Sequence, residues 1–109
     1  MSRIILHTLE YVHILEHSQI IYCKSDNSYT EVFLGTGEKI LVSRSLATVS
    51  KELTTGFVRV SQSYLVNTDW ISIIDKKRKF IRLRNNETIR FTIPIKELSS
   101  MIAYEQPSN

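Results

Sequence analysis

One cysteine, two prolines and three glycines in 109 residues exclude several kinds of protein at the outset. A lone thiol, Cys23, has no partner in the chain, so no internal disulfide framework can exist. So little glycine and proline rules out collagen-like and low-complexity chains, and 42% hydrophobic with 23% charged residues rules out a disordered one. Apolar runs end after a few residues, far short of the roughly 20 that a bilayer-spanning helix needs. The first residues lack the charged, apolar and small-residue regions of a secretory signal, which with the single thiol gives the expectation of a cytoplasmic protein and no membrane partner. Two domains would each be too small to bury a core, so residues 1–109 are read as one domain.

Catalytic signatures are equally scarce. There is no glycine-rich phosphate loop, no serine nucleophile elbow and no His-Glu-x-x-His. His13 and His17 have the spacing of two ligands on one helix face, but their segment has the pattern of a strand, and no cysteine or carboxylate pair completes a site. Cys23 ends an apolar strand and reads as a small hydrophobe rather than a nucleophile. The expectation is a protein with no catalytic residues, no metal and no cofactor.

What the sequence has is an uneven charge. The net +3 hides a first part, residues 1–75, with six Lys/Arg against eight Asp/Glu, and a last part, residues 76–109, with eight against three. From Lys76 to Lys96, eight cations face one acid, Glu87. Such a field attracts phosphate backbones or other anionic surfaces, and it also suits a solvated turn kept soluble by lysines.

The hydrophobic pattern is mostly that of strands. Residues 4–15 read as one extended segment and 19–23 as a short strand; a polar turn over Lys24–Ser28 precedes a strand over 29–34. Gly35-Thr36-Gly37 makes a hairpin loop back into 39–42. Ser45 caps a helix whose apolar positions are Leu46, Val49 and Leu53, with Gly56 as its stop. Residues 57–67 have two mixed faces, so a break or bulge is expected near Ser61–Ser63. Strands over 70–74, 80–84 and 87–93 are joined by turns at Asp75–Lys79 and Asn85–Asn86. Pro94 opens a closing helix with Ile95, Leu98 and Ile102 on one face, and the polar tail from Tyr104 is expected to fray. The predicted class is mainly β: an elongated small β-sandwich of short antiparallel strands, with one short internal helix and a short C-terminal helix.

Short polar and basic residues collect at the turns and strand ends: Lys24, Ser25, Asn27 and Tyr29; Arg44 and Ser45; Arg59, Gln62 and Ser63; Arg90, Thr92 and Lys96. Each alone has an ordinary explanation as a turn residue, a cap or a strand charge. Together they supply cations and hydroxyls for phosphates and side-chain tips for base edges.

The stretch Phe57-Val-Arg-Val-Ser-Gln-Ser-Tyr-Leu-Val-Asn67 resembles the hallmark of the LytTR family of bacterial transcription-regulator DNA-binding domains, Phe-x-Arg-x-His-x-Ser-x-x-Val-Asn. Five of its six fixed positions are met, by Phe57, Arg59, Ser63, Val66 and Asn67, while Ser61 replaces the histidine. Ile21-Tyr22 with Tyr29, Ser43-Arg44-Ser45-Leu46, Leu83-Arg84-Asn85-Asn86 and Ile93-Pro94-Ile95-Lys96 continue the resemblance in order over a core of about residues 18–103. It implies a mostly β effector domain of a two-component response regulator, or a stand-alone regulator, whose loops enter successive major grooves of double-stranded DNA. Two copies would bind direct repeats, and a receiver domain could precede the domain in a longer protein. By position, the resemblance makes Tyr29, Gln62 and Lys96 the base-contacting residues. It gives phosphates to Lys24, Ser25, Asn27, Arg44, Ser45, Arg59, Ser63 and Arg90. Pro94 stands where the family often has serine, and Lys96, where arginine is common, lacks the bidentate fork.

Two other readings remain open. A small β-module could bind single strands or RNA by stacking on Tyr29, Tyr64 and Phe80. An exposed strand edge could instead bind a protein, with Lys76–Lys79 as edge protection.

Overall fold

Four consecutive apolar residues, Ile20 to Cys23, are all buried, which a strand achieves only when both of its faces are covered. The computed structural model, which describes residues 3–102, shows how. Strands β1 (Arg3–His7) and β2 (Val12–Glu16) form a hairpin, followed by a 3-10 turn (His17–Gln19) and an antiparallel meander of β3 (Ile20–Asp26), β4 (Tyr29–Leu34) and β5 (Lys39–Val42). Helix α1 (Leu46–Glu52) leads into β6 (Phe57–Arg59), β7 (Tyr64–Asn67) and a second 3-10 turn (Thr68–Trp70). Then come β8 (Ile71–Asp75), β9 (Phe80–Leu83), β10 (Thr88–Arg90) and α2 (Ile95–Met101). The strands pair as a five-stranded sheet in the order β5-β4-β3-β7-β6, a three-stranded sheet β10-β9-β8 and the two-stranded β1-β2.

The five-stranded sheet lies between two cores. On one face Cys23, Val32, Val42 and Leu65 meet Leu6 and Leu15 of the β1-β2 hairpin and Leu46 and Val49 of α1. On the other, Tyr22, Val58 and Val66 meet Ile81, Leu83 and Ile89 of the three-stranded sheet and Leu98 of α2. A side chain the size of Leu6 or Leu98, fully buried, contributes about 2 kcal/mol by leaving water. The expected elongated β-sandwich with two short helices is therefore what the chain forms, with extents of 48 × 30 × 24 Å.

A register shift in β3 settles which core each residue joins. Ile20 pairs with Leu34 and Tyr22 with Phe33, leaving Ile21 as an extra, bulged residue. Simple alternation would send Ile20 and Tyr22 to one face; with the bulge, Ile20 and Cys23 face the helix α1 core while Ile21 and Tyr22 face the other.

Strand β4, strand β5 and the Ser45 cap, which accepts a bond from the Thr48 amide at 3.2 Å, lie where the sequence pattern puts them. Several boundaries differ. Residues 4–15 are a hairpin, turned where the Thr8 amide donates to the Tyr11 carbonyl at 2.9 Å. Lys24, Ser25 and Asp26 extend β3, so the turn narrows to Asn27 and Ser28, with Asn27 at φ 58°. The break expected near Ser61–Ser63 is the loop of a hairpin between β6 and β7, closed by the Val60 amide on the Tyr64 carbonyl at 3.1 Å. Helix α1 ends at Glu52, so Gly56 is no helix stop; it takes φ 77° where an added Cβ would stand 2.5 Å from the His17 ring. Strand β10 is shorter than residues 87–93, and Lys76–Lys79 occupy a hairpin turn rather than a strand edge. Pro94 precedes α2 as its cap. The tail from Tyr104 lies outside the described residues.

Burial pushes the Cys23 thiol from its ordinary 9.0 up to about 12. The Tyr22 phenol, buried and donating to Glu87 Oε2 at 3.1 Å, is also raised above its ordinary 10.0. Folded values above unfolded ones mean stability that is complete below the unfolded pKa and lost as pH rises through the folded one. Urea unfolding of the parent should thus show a midpoint that declines as pH rises above 9, by at most about 1.4 kcal/mol per pH unit for each of these two groups. In Cys23→Ala the decline should begin only near pH 10, where Tyr22 starts to contribute.

Candidate nucleic-acid interface

Antiparallel pairing brings the candidate residues to one end of the five-stranded sheet. Strands β3, β5 and β6 finish there and β4 and β7 begin there, as the pairs Asp26–Tyr29, Thr30–Val42, Lys24–Tyr64 and Arg59–Leu65 require. Three hydrogen bonds then tie the emerging loops together. The Ser25 amide donates to the Ser63 carbonyl at 2.9 Å, joining the first turn to the Ser61–Ser63 loop. The hydroxyl of buried Thr30 donates to the Arg44 carbonyl at 2.8 Å, holding the segment after β5. The Thr92 amide donates to the Val60 carbonyl at 2.8 Å, anchoring the approach to α2 beside the same loop. Residues far apart in sequence, from Lys24 to Lys96, thus share one end of the molecule.

Tyr29, Gln62 and Lys96 are all exposed, and so are Lys24, Asn27, Ser63, Arg90 and Thr92; Ser25 is half-buried. Lys24 Nζ stands 6.0 Å from the centre of the Tyr64 ring, a cation–π distance that steadies the side chain and leaves its charge in water. Arg44, Ser45 and Arg59 are committed within the protein. Arg44 makes a bidentate pair with Glu52, at 2.8 and 3.0 Å, and a third bond to the His7 carbonyl at 3.0 Å. Arg59 Nε donates to the Ser61 carbonyl at 2.9 Å and its Nη2 to the Gln62 carbonyl at 2.7 Å. Within that loop the Ser63 amide donates to Ser61 Oγ at 3.2 Å. Arg59 and Ser61 therefore shape the loop on which Gln62 is presented.

The rest of the Phe57–Asn67 motif lies inside. Phe57 is buried edge-on to the His17 ring, with centroids 4.9 Å apart, and Val66 is buried in the opposite core. Asn67 is fully buried and its amide is used on both sides: Nδ2 donates to the carbonyls of His17 at 2.9 Å and Ile20 at 2.8 Å, and Oδ1 accepts from the Asp69 amide at 3.0 Å. His17 Nε2 lies 3.0 Å from the Thr55 carbonyl, which can only accept, so the ring carries its proton there. The mixed faces of residues 57–67 single out neither Phe57 nor Val66 as core, and the sequence holds no sign that Asn67 is a clamp or that Arg59 braces a loop.

Of the three aromatics available for stacking, Tyr64 packs on Tyr22 with centroids 5.8 Å apart and Phe80 is half-buried, leaving Tyr29 exposed. Among the described residues no three His, Cys, Asp or Glu side chains group as metal ligands. No described helix is long and apolar enough to cross a membrane.

The model of the LytTr DNA-binding domain family matches residues 10–99. Among solved structures, the fold is similar to that of a LytTr DNA-binding domain of a putative methyl-accepting/DNA response regulator from Bacillus cereus, at 20% identity and a TM-score of 0.64, covering 82% of this chain and 84% of that one. No curated protein matches the sequence.

Removing the Asn67 amide leaves buried carbonyls and an amide without partners. Asn67→Ala is expected to lower the unfolding free energy by about 3 kcal/mol, read from the urea midpoint at unchanged slope.

Proposed function

The chain belongs to the LytTr DNA-binding domain family, and from that premise we propose that it binds a specific double-stranded DNA sequence in the regulation of transcription. The observation that carries this reading is the meeting, at one end of the central sheet, of the start of β4, the Ser61–Ser63 loop and the approach to α2, from which Tyr29, Gln62 and Lys96 are exposed.

The chemistry divides in the usual way between backbone and bases. Lys24, Ser25, Asn27, Ser63 and Arg90 contribute cations, hydroxyls and an amide to phosphates. Arg44, Ser45 and Arg59 contribute from the protein side by fixing the loops, and offer to phosphates only those donors that their internal bonds leave over. The Gln62 amide can bond adenine through both its groups, and the Lys96 ammonium can donate to the guanine acceptors. The hydroxyl of Ser61, already used within the loop, makes any contact at that position neutral.

The reading extends to two copies on direct repeats, to a place beside a receiver domain in a longer protein or as a stand-alone regulator, to a cytoplasmic setting and to a non-enzymatic role. A stacking mode on single strands is disfavoured because Tyr64 packs against the second core and Phe80 is half-buried, which leaves Tyr29 alone of the three exposed.

Binding to a duplex selected from a random library, compared with a scrambled duplex across salt, tests the reading. The log–log salt slope should be about −2 or steeper, roughly −0.9 for each phosphate neutralised by a cation such as Lys24 or Arg90. Gln62→Ala should cut the preference for the selected duplex by about tenfold while leaving the slope unchanged. Equal affinity of the parent for both duplexes would refute sequence-specific binding.

A further inference from the structure

The four consecutive cations Lys76, Lys77, Arg78 and Lys79 are used by none of the contacts described so far. They occupy the turn between β8 and β9, and all four are exposed. The turn is well defined. Asp75 Oδ1 accepts from the Lys77 amide at 3.1 Å and the Arg78 amide at 2.7 Å, the Lys79 amide closes on the Asp75 carbonyl at 2.9 Å, and Lys79 takes φ 63°. The one nearby carboxylate in the turn is thus spent on backbone amides, and among the described residues no ion pair or side-chain hydrogen bond engages the four cations.

Their position is also fixed. The Lys79 carbonyl accepts from the Phe91 amide at 3.2 Å, and the next residue, Thr92, donates to Val60 at the root of the Ser61–Ser63 loop. The turn therefore emerges beside Arg90 at the loop-bearing end. It belongs to the second sheet, which packs on the face of the first, so the cations are set off from the plane of the three loops by about 10 Å. A solubilising cluster has no need of this placement. Arg44 and Arg59, by contrast, spend their guanidinium groups within the protein.

We infer that the Lys76–Lys79 turn is a sequence-independent clamp on the phosphate backbone of duplex DNA, touching a stretch of backbone separate from the base steps reached by Tyr29, Gln62 and Lys96. This rests on the DNA-binding reading above. The turn supplies attraction and register, and the loops supply the choice of sequence.

The test is a triple variant, Lys76→Ala, Lys77→Ala and Arg78→Ala, with Lys79 kept because its left-handed backbone and carbonyl hold the turn. A charge-preserving variant, Lys76→Arg, Lys77→Arg and Arg78→Lys, serves as control, and Trp70 emission with the thermal midpoint confirms folding in both. Against the selected and scrambled duplexes, the alanine variant should lose about tenfold or more in affinity on each alike at low salt, with a log–log slope shallower by about 2 to 3, from roughly 0.9 per lost phosphate contact. The ratio between the two duplexes should stay at the parent's value, and the control should bind as the parent does. An alanine variant with the parent's slope, or with reduced solubility alone, overturns the clamp while the DNA-binding reading stands. A loss confined to the selected duplex overturns it too, by making the turn a base reader. A parent that binds neither duplex overturns both.

Discussion

The amide of Asn67 holds together the places where the chain changes direction. Through two carbonyls it fastens the start of the first 3-10 turn to the start of β3, and through its oxygen it starts the second 3-10 turn, which carries the chain from the five-stranded sheet to the three-stranded one. Asn67 itself is fully buried, so its amide must be paired or the fold bears its desolvation cost. The loop end lies at the other end of β7, beyond Tyr64. The strand that Asn67 terminates is thus tied at its far end and free to present a loop at its near one.

The cations fall into two populations. Lys39, Arg44, Arg59 and Arg84 bond to carboxylates or backbone carbonyls of the protein itself. Lys24, Arg90, Lys96 and the turn at Lys76–Lys79 are exposed, and no ion pair among the described residues uses them. The first group turns charge into shape, because a guanidinium between two carbonyls holds a loop as firmly as a short strand pair would. The second group keeps its charge for a polyanion. Net charge counts the two alike, which is why the whole-chain value says less than its distribution.

Much of this was legible in the sequence. Alternation and turn residues located β4, β5, α1 and the turns at Gly35–Gly37 and Asn85–Asn86, because those elements obey local rules. The hallmark residues and the loop candidates were also readable as a set. Tertiary effects were not. The pattern of residues 57–67 signals a break or bulge near Ser61–Ser63 but not a hairpin loop braced by Arg59 reaching two carbonyls, which no local pattern encodes. Gly56 looks like a helix stop, although what demands glycine there is the His17 ring, thirty-nine positions earlier in the chain. Arg44 reads as a free charge until the fold brings Glu52 and the His7 carbonyl to it.

The bulge at Ile21 limits how chains of this shape can change length. Because successive residues of β3 beyond the bulge feed different cores, slipping that segment by one residue against β4 would exchange their partners, sending Tyr22 toward α1 and stranding its hydroxyl away from Glu87. Insertions and deletions over evolutionary time are thereby steered into the turns at Asn27–Ser28, Lys76–Lys79 and Asn85–Asn86. Two of those turns border the proposed DNA surface, so the places where the chain can most freely gain or lose residues include places where a new operator could be learned.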